Sequence, residues 1–161
     1  MAQAVGVSPP SIYLHFADKD ALLLAVCEET FEALDEFIEK AVAGIDDLGE
    51  ELRVRGKAYV RFGLDNPEQY RILFMTRPAG FKPGEEIPAP AAFFHHVEAV
   101  QRASDAGLLV EGMDVELAAF ALWAGVHGIT SLLIAKPTFS WPDRDVLIDG
   151  VVGAMFRGLS R

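Results

Sequence analysis

One cysteine in 161 residues, Cys27, has nothing to pair with. An internal disulfide is excluded, and a reducing, cytoplasmic setting is expected. Basic residues are scarce as well: 14 Lys and Arg stand against 24 Asp and Glu, a formal net charge of −10. That balance argues against a chain that coats nucleic acid nonspecifically, but it leaves room for a small local reading head on an acidic body. Over residues 1–20 the formal charges are only Asp18, Lys19 and Asp20, while acids concentrate in 28–51 and 85–116. No apolar run is read as approaching the roughly 20 residues of a membrane helix. The start, MAQAVGVS, has neither the basic nor the apolar segment of a signal peptide. No membrane partner is therefore expected. Repeats at solenoid spacing are also missing.

What is present is enough apolar material for a core. Half the residues are hydrophobic, so disorder is not expected, and the length suits one domain or one domain plus a small appendage. Helical periodicity runs nearly throughout, and no convincing strand is found, so the fold class is all-α. Gly6 ends a first helical turn. Ser8 and Pro9 supply an N-cap and a first helical residue for a short helix 9–15. Asp18 caps the next helix, which runs to Ala43 and is stopped by Gly44. Further helices are expected at 47–65, 67–75, 89–106, 113–135 and 142–159. The stretch 76–90, with four prolines and two glycines, is expected to be a loop.

A helix, a glycine turn and a short second helix form the pattern of a helix-turn-helix, whose second helix enters the major groove. The side chains suit that task. Ser8 and Ser11 can donate to phosphate or a base edge, and Pro9 and Pro10 offer apolar contact. Tyr13, His15 and Lys19 can reach backbone phosphates. An ordinary helical hairpin, with Phe16 as core, accounts for the same residues without DNA.

The order of residues in "VGVSPPSIYLHFADKDALLLAV" resembles the DNA-binding signature of the tetracycline-repressor (TetR) family of bacterial regulators. Gly6, Val7, Ser8, Ser11, Ile12, Tyr13, His15, Phe16, Lys19, Ala21, Leu22 and Leu23 match it. The resemblance implies a TetR-like, all-helical homodimer that binds operator DNA, with a C-terminal domain for a small-molecule effector. It places Ser8, Pro9, Pro10, Ser11, Tyr13, His15 and Lys19 against DNA. The family carries about 30 to 40 residues before this point, so residues 1–24 would be a partial head without helix one. Residues 25–161 would be the ligand-binding and dimerisation domain. The chain as given is accordingly expected to bind DNA weakly, because a short helix without its packing partners is marginal.

Farther on, "ALWAGVHGITSLL" places Trp123 and His127 on one helix face, with Gly128 expected to admit another backbone. This Trp-x-x-x-His-Gly arrangement resembles the C-terminal domain of a TetR subfamily, and "YRILFMTRP" is similar to a segment that often precedes it. Trp123 and His127 either line an apolar cavity with one polar anchor or pack the core, the histidine bonded to a neighbouring helix. Tyr59, Phe62, Phe74, Met75, Phe93 and His96 are the other candidate lining residues. His95-His96 with Glu98 does not read as a metal site, because adjacent helical residues point about 100° apart. The acid run from Glu28 to Glu39 reads as a solvated helix face. Helices 113–135 and 142–159 carry apolar residues on more than one face, which suits a homodimer seam.

The function expected from these features is a ligand-responsive regulator, a repressor, with no cofactor, no metal and no enzymatic activity. The competing expectation is a helical ligand-binding and dimerisation protein that no longer reads DNA. An enzyme using His96 or His127 is the third possibility, and it has no assembled catalytic constellation behind it.

Overall fold

Four of the helices begin at an aspartate that the sequence places just ahead of an apolar-periodic run. In a computed structural model that describes residues 15–75 and 90–160, these are α1 (Lys19–Val42), α2 (Leu48–Asp65), α5 (Val115–Ala135) and α6 (Arg144–Leu159). Their caps are Asp18, Asp47, Asp114 and Asp143, whose carboxylates accept from Ala21, Glu50, Leu117 and Val146 backbone N–H groups at 2.7–3.0 Å. Each occupies one donor that a helix start leaves unpaired. The remaining helices are α3 (Pro67–Met75), opened by proline, and α4 (Ala91–Asp105). Gly44 and Gly107, at φ +81° and +71°, end α1 and the α4 turn in a conformation that favours glycine.

These bounds agree with the expected helices to within about two residues, and the described residues form an all-α fold whose one β feature is an isolated Leu109–Ser160 bridge. The expected helix 9–15 and most of the expected loop 76–90 lie outside the described residues.

The helices pack around α2. Its Ala58, Tyr59, Val60 and Phe62 meet Leu34 and Ile38 of α1, Val126, Ile129 and Leu133 of α5, and Ile148 and Val152 of α6. A second cluster joins Leu52 to Ala99, Val100 and Ala103 of α4 and to Ala118, Ala119 and Leu122 of α5. Two expectations need correction. Helix α5 is long and apolar enough, by length and composition, to cross a membrane. Its Gly, Ala, Ser and Thr positions carry no charge, so they break the run of large apolar side chains while lowering its average hydropathy only modestly. Here α5 is a core helix, packed on α2, α4 and α6 with Ala118, Leu122, Val126 and Leu133 buried. Among the described residues none approaches Gly128: a Cβ there would meet nothing within 4 Å. The close approaches are instead at Gly125, against Met155, and at Gly63, against Thr130 and Tyr70.

Candidate functional site: an apolar cavity and its polar wall

Between α1, α2, α4, α5 and α6 lies a cavity of about 390 Å³. Its floor and walls are aliphatic and aromatic because each helix turns its apolar stripe inward: Leu24, Phe31, Leu34 and Ile38 from α1, Leu52 and Tyr59 from α2, Phe93 from α4, Leu122 and Trp123 from α5, and Val152 and Met155 from α6. Phe74 of α3 closes one side and Phe120 another. Cys27 also faces it, and burial pushes its thiol up in pKa.

Of the candidate lining residues, Tyr59, Phe74, Phe93, His96 and Trp123 stand on this cavity, whereas Phe62, Met75 and His127 do not. Phe62 is buried beside Phe37, at a ring separation of 5.8 Å, and Met75 is exposed at the end of α3. The α1 wall belongs to the same stripe that reads from sequence as core. Periodicity shows which face is buried, and it carries no signal for whether that face meets side chains or a void.

His127 lies one turn from the wall and ends a polar chain. Trp123 Nε1–H donates to the Tyr59 hydroxyl at 3.3 Å, and the Tyr59 and Tyr70 hydroxyls are 3.3 Å apart. Tyr70 is 2.7 Å from His127 Nδ1, and His127 Nε2 is 3.3 Å from Ser131 Oγ. An indole can only donate, so Tyr59 accepts from Trp123. With His127 as the neutral Nε2–H tautomer, the closer hydroxyl, Tyr70, donates to Nδ1 and the chain runs one way. Tyr59 donates to Tyr70, and Nε2–H donates to Ser131. Burial lowers the pKa of His127, which fits the neutral ring this requires. Burial foremost raises the pKa of both tyrosines, keeping them protonated. Tyr70, with 1% of its surface exposed, escapes a reading for lining residues because its hydroxyl acts behind the wall. Tyr70→Phe is expected to cost about 1–2 kcal/mol in urea unfolding at unchanged m-value. The low figure reflects Tyr59, which is 3.2 Å from the same nitrogen and can take over the bond.

A charged network borders the cavity one turn along α2 from Tyr59. Buried Arg55 donates to Glu51 at 3.0 Å and to Glu39 at 2.7 Å, and Arg102 donates to Glu51 at 2.6 Å. Burial opposes the charge of Arg55, but the two carboxylates outweigh it and raise its pKa. The acidic face of α1 is thus only partly solvated, since Asp35 and Glu39 face α2 and α4. His95 Nδ1 is 2.9 Å from Asp35. The bond to Asp35 foremost raises the pKa of His95; burial opposes it, and the charges of Asp35, Glu39 and Glu98 add to the rise. A raised histidine pKa contributes stability that is fully present below the unfolded value and lost as pH rises through the folded one. Asp35→Asn is expected to flatten that part of the stability profile above about pH 6.5, read as Tm against pH.

Asp35, Glu39 and His95 bring one possible ligand atom each within 4.8 Å of one another. Arg55 already holds Glu39, and the histidine bond holds Asp35. His95 and His96 diverge as their spacing requires, His96 turning to the Ala119 carbonyl on α5. Of the residues expected to face DNA, His15 and Lys19 are described and exposed. Ser8, Pro9, Pro10, Ser11 and Tyr13 lie outside the described residues.

Comparison with known proteins bears on both ends of the chain. Residues 1–26 match the family described as bacterial regulatory proteins, tetR family. Residues 52–155 match the tetracyclin repressor-like C-terminal domain. A protein with unknown function from Rhodococcus sp. RHA1 is similar at 28% identity and TM-score 0.74, over 99% of this chain and 82% of that one. A TetR family transcription regulator from Marinobacter aquaeolei VT8 shares the fold at 21% identity and TM-score 0.76, over 99% and 82%. The TetR family transcriptional regulator PfmR from Thermus thermophilus does so at 22% and 0.73, over 99% and 87%. The family is one of transcription regulators rather than enzymes. With a regulator's N-terminal segment, a matching C-terminal domain over most of its length and the shared helical fold, the chain belongs to the TetR family of bacterial regulatory proteins.

Proposed function

We propose that this chain acts in the cytoplasm as a ligand-responsive repressor, a homodimer that binds operator DNA and senses a small, mostly apolar molecule in the α1–α6 cavity. One observation carries the reading. Helix α1 continues directly from the segment matching the DNA-binding family, and its Leu24, Phe31, Leu34 and Ile38 form one wall of the cavity. An occupant that pushes on this wall shifts the helix on which the reading head is mounted. It acts only through its different affinity for the two head arrangements. Ser8, Pro9, Pro10, Ser11, Tyr13, His15 and Lys19 are the proposed DNA contacts, and two such heads about 34 Å apart would read successive major grooves.

Helices α5 and α6 are the proposed dimer seam. They pack on each other, yet leave Leu117, Leu132 and Val146 exposed at 62%, 49% and 67%. Tyr59, Phe74, Phe93, His96 and Trp123 are the proposed ligand contacts on the wall. His127 acts from behind it, which gives the Trp-x-x-x-His-Gly pair two roles: Trp123 on the cavity and His127 bracing it.

The test is a gel shift with operator DNA, repeated with an inducing ligand. Trp123→Ala is expected to abolish release while leaving operator binding intact. Retained release removes Trp123 from the mechanism. A chain that dimerises and binds ligand but shows no salt-sensitive operator affinity would be the DNA-silent sensor instead.

A further inference from the structure

The polar groups around the cavity are nearly all spent, and what remains indicates the ligand. Tyr59 accepts from Trp123 and donates to Tyr70, so it has no proton left for a ligand. Arg55 is held by Glu39 and Glu51. Arg53 lies with its guanidinium 4.3 Å from the Phe156 ring centroid and pairs with Glu50 at 3.4 Å. Each described cation on the wall is thus already paired with a carboxylate.

His96 differs. Its Nε2 is 3.0 Å from the Ala119 carbonyl, which can only accept, so Nε2 carries the proton. Burial foremost, and the nearby charge of Arg55, lower its pKa, so the ring is neutral. The other nitrogen, Nδ1, is then a bare lone pair. Among the described residues nothing donates to it, and it is not sealed away, because no fully buried side-chain nitrogen or oxygen lacks a partner. His96 lines the cavity. Beside it stand aromatic rings: Phe93 at 6.4 Å from the imidazole, with Phe120 and Trp123 at 5.0 and 5.7 Å from Phe93.

We propose that the cavity selects an uncharged hydroxyl compound, an alkylphenol in chemical class, whose O–H donates to Nδ1 of His96 while its ring lies among Phe93, Phe120 and Trp123. The alkyl tail runs over Leu34 and Ile38 toward α1. A carboxylate of the same size would set negative charge against a lone pair in a low-dielectric wall, and its desolvation would go uncompensated. This inference rests on the cavity being the effector site.

The experiment uses the full chain and three size-matched probes at pH 7.5: 4-hexylphenol, hexylbenzene and 4-hexylbenzoate, measured by calorimetry and thermal shift. The phenol is expected to bind at least about fivefold tighter than hexylbenzene, the size of one net hydrogen bond, and the benzoate weakest. His96→Phe should reduce the phenol-to-hexylbenzene affinity ratio to near one. Long-range ¹⁵N NMR of the unsubstituted protein gives a readout independent of that variant's folding. His96 should show the Nε2–H tautomer, with Nδ1 moving upfield on addition of 4-hexylphenol. If hexylbenzene or the benzoate binds as tightly as the phenol, or Nδ1 stays still, the hydroxyl selection is wrong and the effector cavity stands. If none of the three binds, the cavity reading falls with it.

Discussion

Replacing Glu51 by Ala is expected to cost about 3–5 kcal/mol, the range for breaking a buried ion pair by removing one partner. Glu51 is 7% exposed and Arg55 6%, and Glu51 is the shared acceptor for Arg55 and Arg102. Its loss leaves the Arg55 guanidinium in the wall of an apolar cavity with only Glu39, whose side chain is 42% exposed. Urea denaturation at pH 7 should show a lower midpoint at unchanged slope. The double replacement Glu51→Leu with Arg55→Leu removes both charges together and is expected to recover most of the loss, since apolar substitutes for buried pairs are often neutral or better. A single-variant cost under about 1 kcal/mol would mean that the pair behaves like a solvated one.

Gly63→Val is expected to destabilise the fold by about 3 kcal/mol or more, and Gly63→Ala by about 1–3. A Cβ at position 63 would sit 2.4 Å from the Thr130 methyl and 2.8 Å from a Tyr70 ring carbon. Thr130 is fully buried with its hydroxyl tied to the Val126 carbonyl at 2.7 Å, and Tyr70 is fixed by His127, so neither neighbour can give way cheaply. The gain from removing a helical glycine, about 1 kcal/mol, opposes this and sets the lower figure for alanine. Thermal unfolding of the two variants checks the order. The valine variant should also disturb the Tyr70–His127 bond, visible as a changed His127 ring signal. Wild-type stability in Gly63→Ala would show that α2 and α5 slide apart easily.

The sequence made the helices legible because their ends are written in local chemistry: aspartates that cap, glycines that stop, Asn66-Pro67 that breaks. It made the cavity wall legible only in part. Trp123 and Tyr59 were recognisable as large, polar-tipped aromatics on inward faces, but Phe62, on the same helix as Tyr59, faces Phe37 instead. A one-residue change of position along a helix turns a side chain by about 100°, and no pattern of hydrophobicity resolves which of two adjacent helices it meets. The buried charges were hidden for a different reason. Glu51 and Arg55 are four apart, the spacing of an ordinary surface pair. The clue was that Arg55 falls between Leu52 and Tyr59 on an inward face. Tyr70's role depended on α3 folding back to α5, a tertiary fact that nothing local encodes.

The indole of Trp123 also makes the protein its own indicator. The chain has two tryptophans, Trp123 and Trp141. The second is bonded to the Lys136 carbonyl in the α5–α6 turn, away from the cavity lining. Filling the cavity with an apolar molecule changes the polarity around one fluorophore and leaves the other as a constant background. A blue shift of emission that saturates with added ligand, and that disappears in Trp123→Phe, would report occupancy without a label. Occupancy could then be followed in the same cuvette as the release of fluorescently silent operator DNA.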